Sequence, residues 1–346
     1  MKTQKNTLEH LKEPATSSWK PIVKGSYVFV LLIITVVILS VVKLGQVEWF
    51  ARGHFLNWDG SIVNLFRAAV PILTIIGGFT LLMISGNIDL SVGSALSLCA
   101  VIYSLMIING FGIATALIIT MVLGIGLGFI NGFLVMKLRI TPVIATLITL
   151  SLYKGIARLI VPPGLSAIKG SDLLKMPVWI NDYSRKGFVL GLPTAFFVAI
   201  AIIVVLVIVQ RRTILGKYSA AIGGNRLATE LSGINVVRTV WLLYMIVGFL
   251  AALAGVARAS YMSLGDPLTG DGMELDCIIA VLLGGTAFSG GEGSIIKSVA
   301  GAMIIMCINT GLMTVLPPFW QMFIKGAVLV LAVTLSHLLV REKTPA

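Results

Sequence analysis

The chain has 346 residues, of which 57% are hydrophobic and 12% charged, with a mean hydropathy of +1.01. Soluble domains run at about 45–50% apolar and about 25% charged, so this composition excludes a soluble globular protein and defines an integral membrane protein. The net charge of +12 then calls for no nucleic-acid partner, because Lys and Arg of membrane proteins gather in cytoplasmic loops and set orientation.

Residues 1–25 carry five Lys and two Glu and predict a cytoplasmic tail. The apolar run Tyr27–Val42 follows and ends in Val42-Lys43-Leu44, without the small-residue cleavage site of a secretory signal, so a retained first span is expected. A hydrocarbon core of about 30 Å needs roughly 20 apolar residues per helix. On that basis the candidate spans are 26–43, 64–86, 94–109, 112–136, 141–161, 188–210, 239–258, 276–290, 295–315 and 320–340. The spans 94–109 and 276–290 are short for a full crossing. The expected fold class is an all-α polytopic membrane protein of about ten transmembrane helices with broken or re-entrant segments. Its domain plan is a tail at 1–25, a membrane domain at 26–340 containing a cytoplasmic loop at 211–238, and a second tail at 341–346.

The basic residues support this topology. With the N-terminus inside, the inner segments carry fourteen: five in the tail, Lys137, Arg139, Arg211, Arg212, Lys217, Arg226, Arg238, Arg341 and Lys343. The outer loops carry seven: Lys43, Arg52, Lys169, Lys175, Arg185, Lys186 and Arg258. Both termini are therefore expected in the cytoplasm. Arg67, Lys154, Arg158, Lys297 and Lys325 read as anchors near the water interface, with Lys154 and Arg158 sharing a helix face at i, i+4. Cys99, Cys277 and Cys307 lie in or beside apolar segments, and His10, His54 and His337 are scattered. Neither a disulfide framework nor a metal site is expected from them. Gly124, Gly128 and Gly132 recur every four residues on one face of the fourth span, the register that lets helices pack closely in lipid.

Two stretches interrupt the helical pattern at membrane depth: GNIDLSVGS at 86–94 and GGTAFSGGEG at 284–293. Irregular backbone survives there only inside protein or beside water, and paired breaks in the two halves of a chain point to a central transport pathway. An ionised side chain at such depth costs on the order of 3 kcal/mol by insertion scales. Asp89 is accordingly expected either to N-cap the short third segment or to line that pathway. In the 211–238 loop, Asn225 is a plausible N-cap and Gly233 a C′ residue around a short helix, Arg226–Ser232, with Leu227, Ala228 and Leu231 on one face. Two turns are too few to stand alone in water, so this helix needs its own membrane domain or a partner's groove.

The stretches ISGNIDLSVGS, FINGFLVMKLRITPVIATL, AIGGNRLATELSGIN, ELDCIIAVLLGGTAFSGGEGSI and QMFIKGAVLVLAV together resemble the membrane permease of bacterial ABC sugar importers, the ribose/xylose/galactoside/autoinducer-2 group. The resemblance covers roughly residues 60 to 340. It implies a multi-pass permease of the bacterial inner membrane, paired with a second permease copy. It also implies two cytoplasmic ATP-binding subunits and a periplasmic substrate-binding protein as partners, ATP and Mg being used by the ATP-binding subunits and no cofactor being bound by this chain. On that mapping Gly223, Gly224, Asn225, Ala228, Leu231, Ser232 and Gly233 belong to the ATPase-coupling loop. Asn87, Asp89, Ser91, Ser94, Thr286 and Ser289 would line or gate the translocation pathway. The chain departs from the group in having Gly86-Asn87 where a Gly pair is usual, Val161-Pro162-Pro163-Gly164 after the fifth span, and four acids (Asp266, Asp271, Glu274, Asp276) in the outer loop GDPLTGDGMELD.

The sequence holds no GxxxxGK[ST] phosphate loop: Gly216-Lys217 is followed by Tyr218, and SGGEGSIIKS has no Gly-Lys pair. Energy for transport must then enter from another subunit or an ion gradient. A stand-alone secondary transporter or channel is the alternative, and it needs acids deep in the membrane; Asp89 is the main candidate, with Asp276 at a segment edge. An intramembrane enzyme would show HExxH, GxSxG or paired acids, none of which occurs. Nothing distinguishes one sugar from another, although Asn, Ser and Thr along the breaks suit a neutral polyhydroxylated solute.

Overall fold

The computed structural model describes residues 27–37, 63–161, 174–177, 188–189, 192–313 and five positions between 320 and 330. The predicted tails, the Pro162-Pro163-Gly164 turn and most of the predicted span 320–340 lie outside the described residues. Helices α1 (Tyr27–Val37), α2 (Val63–Ile84), α3 (Val92–Ile108), α4 (Ile113–Met136), α5 (Pro142–Leu159), α6 (Thr194–Arg212), α7 (Ile214–Gly224), α8 (Arg226–Leu231), α9 (Val236–Met262), α10 (Met273–Leu283) and α11 (Ile295–Met313) follow in order. Among the described residues, five of them (α2, α4, α5, α6 and α9) are long and apolar enough to cross a membrane.

The hydrophobic effect that sorts apolar from polar in water has no counterpart in lipid, so close backbone approach decides which helices pair. The glycine face of α4 lies on α9, as the predicted register requires. A Cβ on Gly124 would meet Gly248 and Ala252, one on Gly128 would meet Tyr244 and Met245, and one on Gly132 would meet Trp241. Helix α9 answers with Gly248 against Gly124 and Gly128, and with Gly255 against Leu96 and Ala100 of α3. Helix α2 is buried along almost its whole length, with Gly77 against Leu206 of α6 and Gly78 against Leu250 of α9. Its neighbours also include α7, α10 and α11. Side chains such as Ile118 and Val122 of α4, Leu152 of α5 and Val205 of α6 face outward.

The structure refines three expectations. The predicted span 276–290 is an 11-residue helix, α10, that stops at Gly284-Gly285, where Gly285 takes a φ of +78°. Ahead of it, the loop 264–272 runs along α3 with part of its length buried. Gly265 packs on Ser104, and the Gly270 N–H donates to the buried Ser97 hydroxyl at 2.9 Å. Ser97 and Ser104 are seven positions apart on α3, about 10 Å of helix rise, and the Gly270 backbone amide is satisfied by a side chain as burial demands. Second, the 211–238 region is mostly helical, comprising the end of α6, then α7 and α8, then the start of α9. Third, the mostly helical chain carries two short strand pairs among the described residues. Strand β1 (Leu174–Lys175) pairs antiparallel with β4 (Leu264–Gly265), and β2 (Phe188–Val189) with β3 (Leu192–Pro193). The first pair lets the chain enter the 264–272 loop with its amides paired.

Candidate functional site

The two interrupted stretches and the 211–238 arm meet at one point. Helix α2 ends at Ile84, and its carbonyl accepts a hydrogen bond from the Gly291 N–H at 2.8 Å, joining the first break to the second. Gly223, at the end of α7, sits against that same bond: a Cβ there would overlap both the Ile84 carbonyl and the Gly291 amide. A Cβ on Gly290 would press on Gly86 at 2.7 Å from its nitrogen, and one on Gly291 would meet Gly224. Gly86, Gly290 and Gly291 have φ values of +75°, +85° and +88°, a region that favours glycine. Four glycines (Gly86, Gly223, Gly290 and Gly291) from three separate segments thus let peptide groups touch where side chains would hold them apart.

Above this junction the first break is locked by polar side chains. Asp89 Oδ1 accepts from the Ser91 amide at 2.8 Å and from the Ser91 hydroxyl at 2.7 Å. The N-cap residue of α3 is Ser91, so Asp89 closes the turn before the helix instead of capping it. Asn131 of α4 donates to the Asp89 carboxyl oxygens at 3.3 and 3.2 Å and to Ser91 Oγ at 2.7 Å. Tyr153 of α5 donates to the Leu127 carbonyl at 3.0 Å beside Asn131, and Tyr244 of α9 donates to the Ile88 carbonyl at 3.1 Å. Asp89 is 2% exposed and Asn131 1%. A buried polar group is costly unless hydrogen-bonded, and this set of bonds supplies the partners. Asn87 turns its amide back to the Ser85 carbonyl and hydroxyl, both at 3.0 Å.

Of the six residues expected along the pathway, Asn87, Asp89, Ser91, Ser94 and Thr286 are buried and Ser289 is exposed. The Thr286 hydroxyl is buried with no hydrogen-bond partner. Helix α10 begins beside the start of α3: a Cβ on Gly93 would meet Gly270 and the Glu274 carboxylate. Asp276, placed by the sequence at a segment edge, is buried in the first turn of α10, with Asn309 of α11 donating to it at 3.3 Å. Lys154 reaches Asp271 at 2.6 Å. The pair is about a third exposed, a setting worth about 1 kcal/mol or less. Lys154→Gln should move the thermal midpoint by less than about 4 °C, as read by the loss of monodisperse protein on heating in detergent.

On the arm, Asn225 Oδ1 accepts from the Ala228 amide at 2.9 Å and Gly233 takes a φ of +81°, so the predicted cap and C-terminal glycine are both in place around α8. Leu227 and Leu231 are 68% and 80% exposed. Ala228, Ser232 and Gly233 are exposed with them, whereas Gly223 turns inward to the junction. Gly224 lies between these two settings, exposed yet adjoining Gly291. Asn131, Tyr153, Tyr244 and Gln210 were not singled out from the sequence. Asn131, a lone amide inside the apolar run of α4, carried a usable signal, because a polar residue at that depth needs a partner.

Apolar helices with two interrupted stretches, joined to an arm that exposes two leucines, suit a transport permease. The chain belongs to the family described as the permease component of the branched-chain amino acid transport system, matched over residues 61–333. It is similar to the ribose import permease protein RbsC of Bacillus subtilis (33% identity over 282 residues, 80% of this chain and 84% of that one). It is also similar to the fructose import permease protein FruF of Bifidobacterium longum (34% over 259 residues, 74% and 71%). A third relative is the galactofuranose transporter permease protein YtfT of Escherichia coli (34% over 271 residues, 78% and 77%). No solved structure matches significantly.

Proposed function

We propose that the chain is the membrane-spanning subunit of an ATP-driven importer that carries a small neutral sugar across the bacterial inner membrane. The observation that carries this reading is the arm. At one end it offers two exposed leucines on a helix too short to be stable unaided, and at the other it closes on both breaks through Gly223 and Gly291. A movement imposed on α8 from outside therefore has a rigid route into the membrane. The relatives' names, which mention ribose, fructose and galactofuranose import, support the sugar class.

In this reading the 211–238 arm and both termini are cytoplasmic, the membrane domain 26–340 crosses about ten times, and a second permease copy completes the assembly. Two ATP-binding subunits grip α8, and a periplasmic binding protein delivers the solute. Asn87, Asp89, Ser91, Ser94, Thr286 and Ser289 lie beside the path, and the solute reaches the buried ones when the breaks separate. The breaks then act as a gate.

Gentle extraction of the tagged chain from its native cells, followed by mass spectrometry, tests the assembly. An ATP-binding subunit and a periplasmic binding protein are expected in the eluate. A chain that emerges alone even after crosslinking would be a stand-alone transporter, with Asp89 its first suspect for ion coupling. Leu227→Asp together with Leu231→Asp removes the exposed apolar pair. Loss of such anchors costs about 2 kcal/mol or more, so recovery of the ATP-binding subunit should fall sharply while the chain stays in the membrane.

A further inference from the structure

Gln210 stands in the last turns of α6, immediately before the corner at Thr213 that starts the arm. Its side chain spans Ser294: Nε2 donates to the Gly293 carbonyl at 3.0 Å, and Oε1 accepts from the Ile295 N–H at 3.1 Å. Ile295 opens α11, and its N–H is one of the donors that no helix can satisfy internally. The side-chain amide therefore behaves like an added peptide group, holding the last residue pair of the second break and the first of the following helix. Glutamine suits this place because it supplies one donor and one acceptor in a single plane.

The backbone of Gln210 is fixed to the arm as firmly as its side chain is fixed to the break. A Cβ on Gly216 in α7 would overlap the Gln210 carbonyl and crowd its Cα, so the α6–α7 corner folds directly onto this residue. The Thr213 hydroxyl adds a bond to the Val209 carbonyl at 2.7 Å. The segment 284–294 is thus gripped at two places, at Gly291 by the glycines of α7 and at Gly293–Ile295 by Gln210, the residue onto which α7 folds. One grip alone leaves the segment free to pivot about it; two transmit a rotation.

We propose that Gln210 is a positioning residue for transport, the second grip by which the arm turns the break between α10 and α11 when the ATP-binding subunits move. The inference rests on the permease reading above and assigns the residue by which the arm's motion is made to act on the gate. Loosening it uncouples the two: ATP is still hydrolysed, but less sugar moves for each ATP.

The test is made on the complete importer in proteoliposomes, with ribose, fructose and galactofuranose offered to the wild type and the accepted sugar used thereafter. Gln210→Leu keeps the bulk and removes both bonds. It should copurify with the ATP-binding subunit and hydrolyse ATP near the wild-type rate, yet move about tenfold less sugar per ATP, the size expected for two lost hydrogen bonds. Gln210→Glu retains an acceptor for the Ile295 N–H and loses the donor to Gly293, so its ratio should fall between the two. A wild-type ratio in either variant overturns the proposal. So does a parallel fall of hydrolysis and uptake at constant ratio, which is what a merely structural contact would give. If Gln210→Leu fails to reach the membrane, the ratio in Gln210→Glu decides alone. A wild-type chain that never captures an ATP-binding subunit removes the permease reading and this inference with it, and that outcome is seen before any variant is made.

Discussion

Gly223→Val should leave the chain in the membrane and reduce transport at least tenfold, roughly, even where α8 still binds its partner. The expected Cβ position overlaps the Ile84 carbonyl and the Gly291 amide, the two groups that bond each other at 2.8 Å. Both obstacles are backbone, so no rotamer change relieves them. Overpacking of this kind typically costs about 1–3 kcal/mol, and breaking the buried bond leaves polar groups unpaired at about 1–3 kcal/mol more. Two neighbours serve as controls. A Cβ on Gly224 meets nothing within 4 Å, so Gly224→Ala should transport nearly as wild type. Gly233→Val also meets open space but is forced to a φ of +81°, a left-handed conformation costing about 1–2 kcal/mol; it should disturb the end of α8 and the partner's grip before it disturbs the gate. Uptake assays paired with copurification separate these outcomes. Normal uptake by Gly223→Val would remove the junction from the mechanism.

Asn131→Leu is expected to be among the most damaging single changes in the membrane domain. It strips the Asp89 carboxyl of its bonds from α4 and leaves Ser91 as the partner that remains. Leaving a buried acceptor short of its partner costs about 1–3 kcal/mol, a sizeable share of the 5–15 kcal/mol that stabilises a typical fold. Asp89→Asn should be damaging by a different route. The new amide keeps an oxygen for Ser91 but turns a donor toward the Asn131 donor. Exchanging the two, Asp89→Asn with Asn131→Asp, restores a donor–acceptor pair, so stability and uptake should recover part of the loss. Thermal inactivation in detergent and uptake in vesicles, read as a double-mutant cycle, test this. Additive losses in the double variant would mean that Asp89 and Asn131 do not depend on each other.

The sequence and the structure agree where side-chain pattern governs the outcome. The glycine face of α4, the Asn225 cap and the Gly233 terminus were legible because each rests on local geometry or a fixed helical period. The positions of both breaks were legible for the same reason, since glycine and carboxylate stand out against apolar sequence. What could not be read is that the breaks touch each other and the arm. That contact is made by peptide groups of Ile84, Gly86, Gly223, Gly290 and Gly291, and a peptide group leaves no mark in a sequence. The packing of residues 264–272 was hidden for the opposite reason: Asp266 and Asp271 mark a loop, and nothing in them shows that the backbone between is pinned to Ser97 and Gly93 of α3. Helix α7 lies in the stretch expected as a loop between two spans; glycine at 216, 223 and 224 is a poor helix former, and packing against Gln210 and Ile84 overrides that preference.

The main-chain character of the junction has an evolutionary consequence. A contact made by peptide groups specifies the absence of side chains at a few positions and makes no demand on the chemistry of the residues around it. In the proposed importer, substitutions that retune which solute is accepted can accumulate elsewhere in the membrane domain without disturbing the contact between the arm and the breaks. Selectivity and drive are then separately adjustable, and one mechanical plan can be carried unchanged from sugar to sugar.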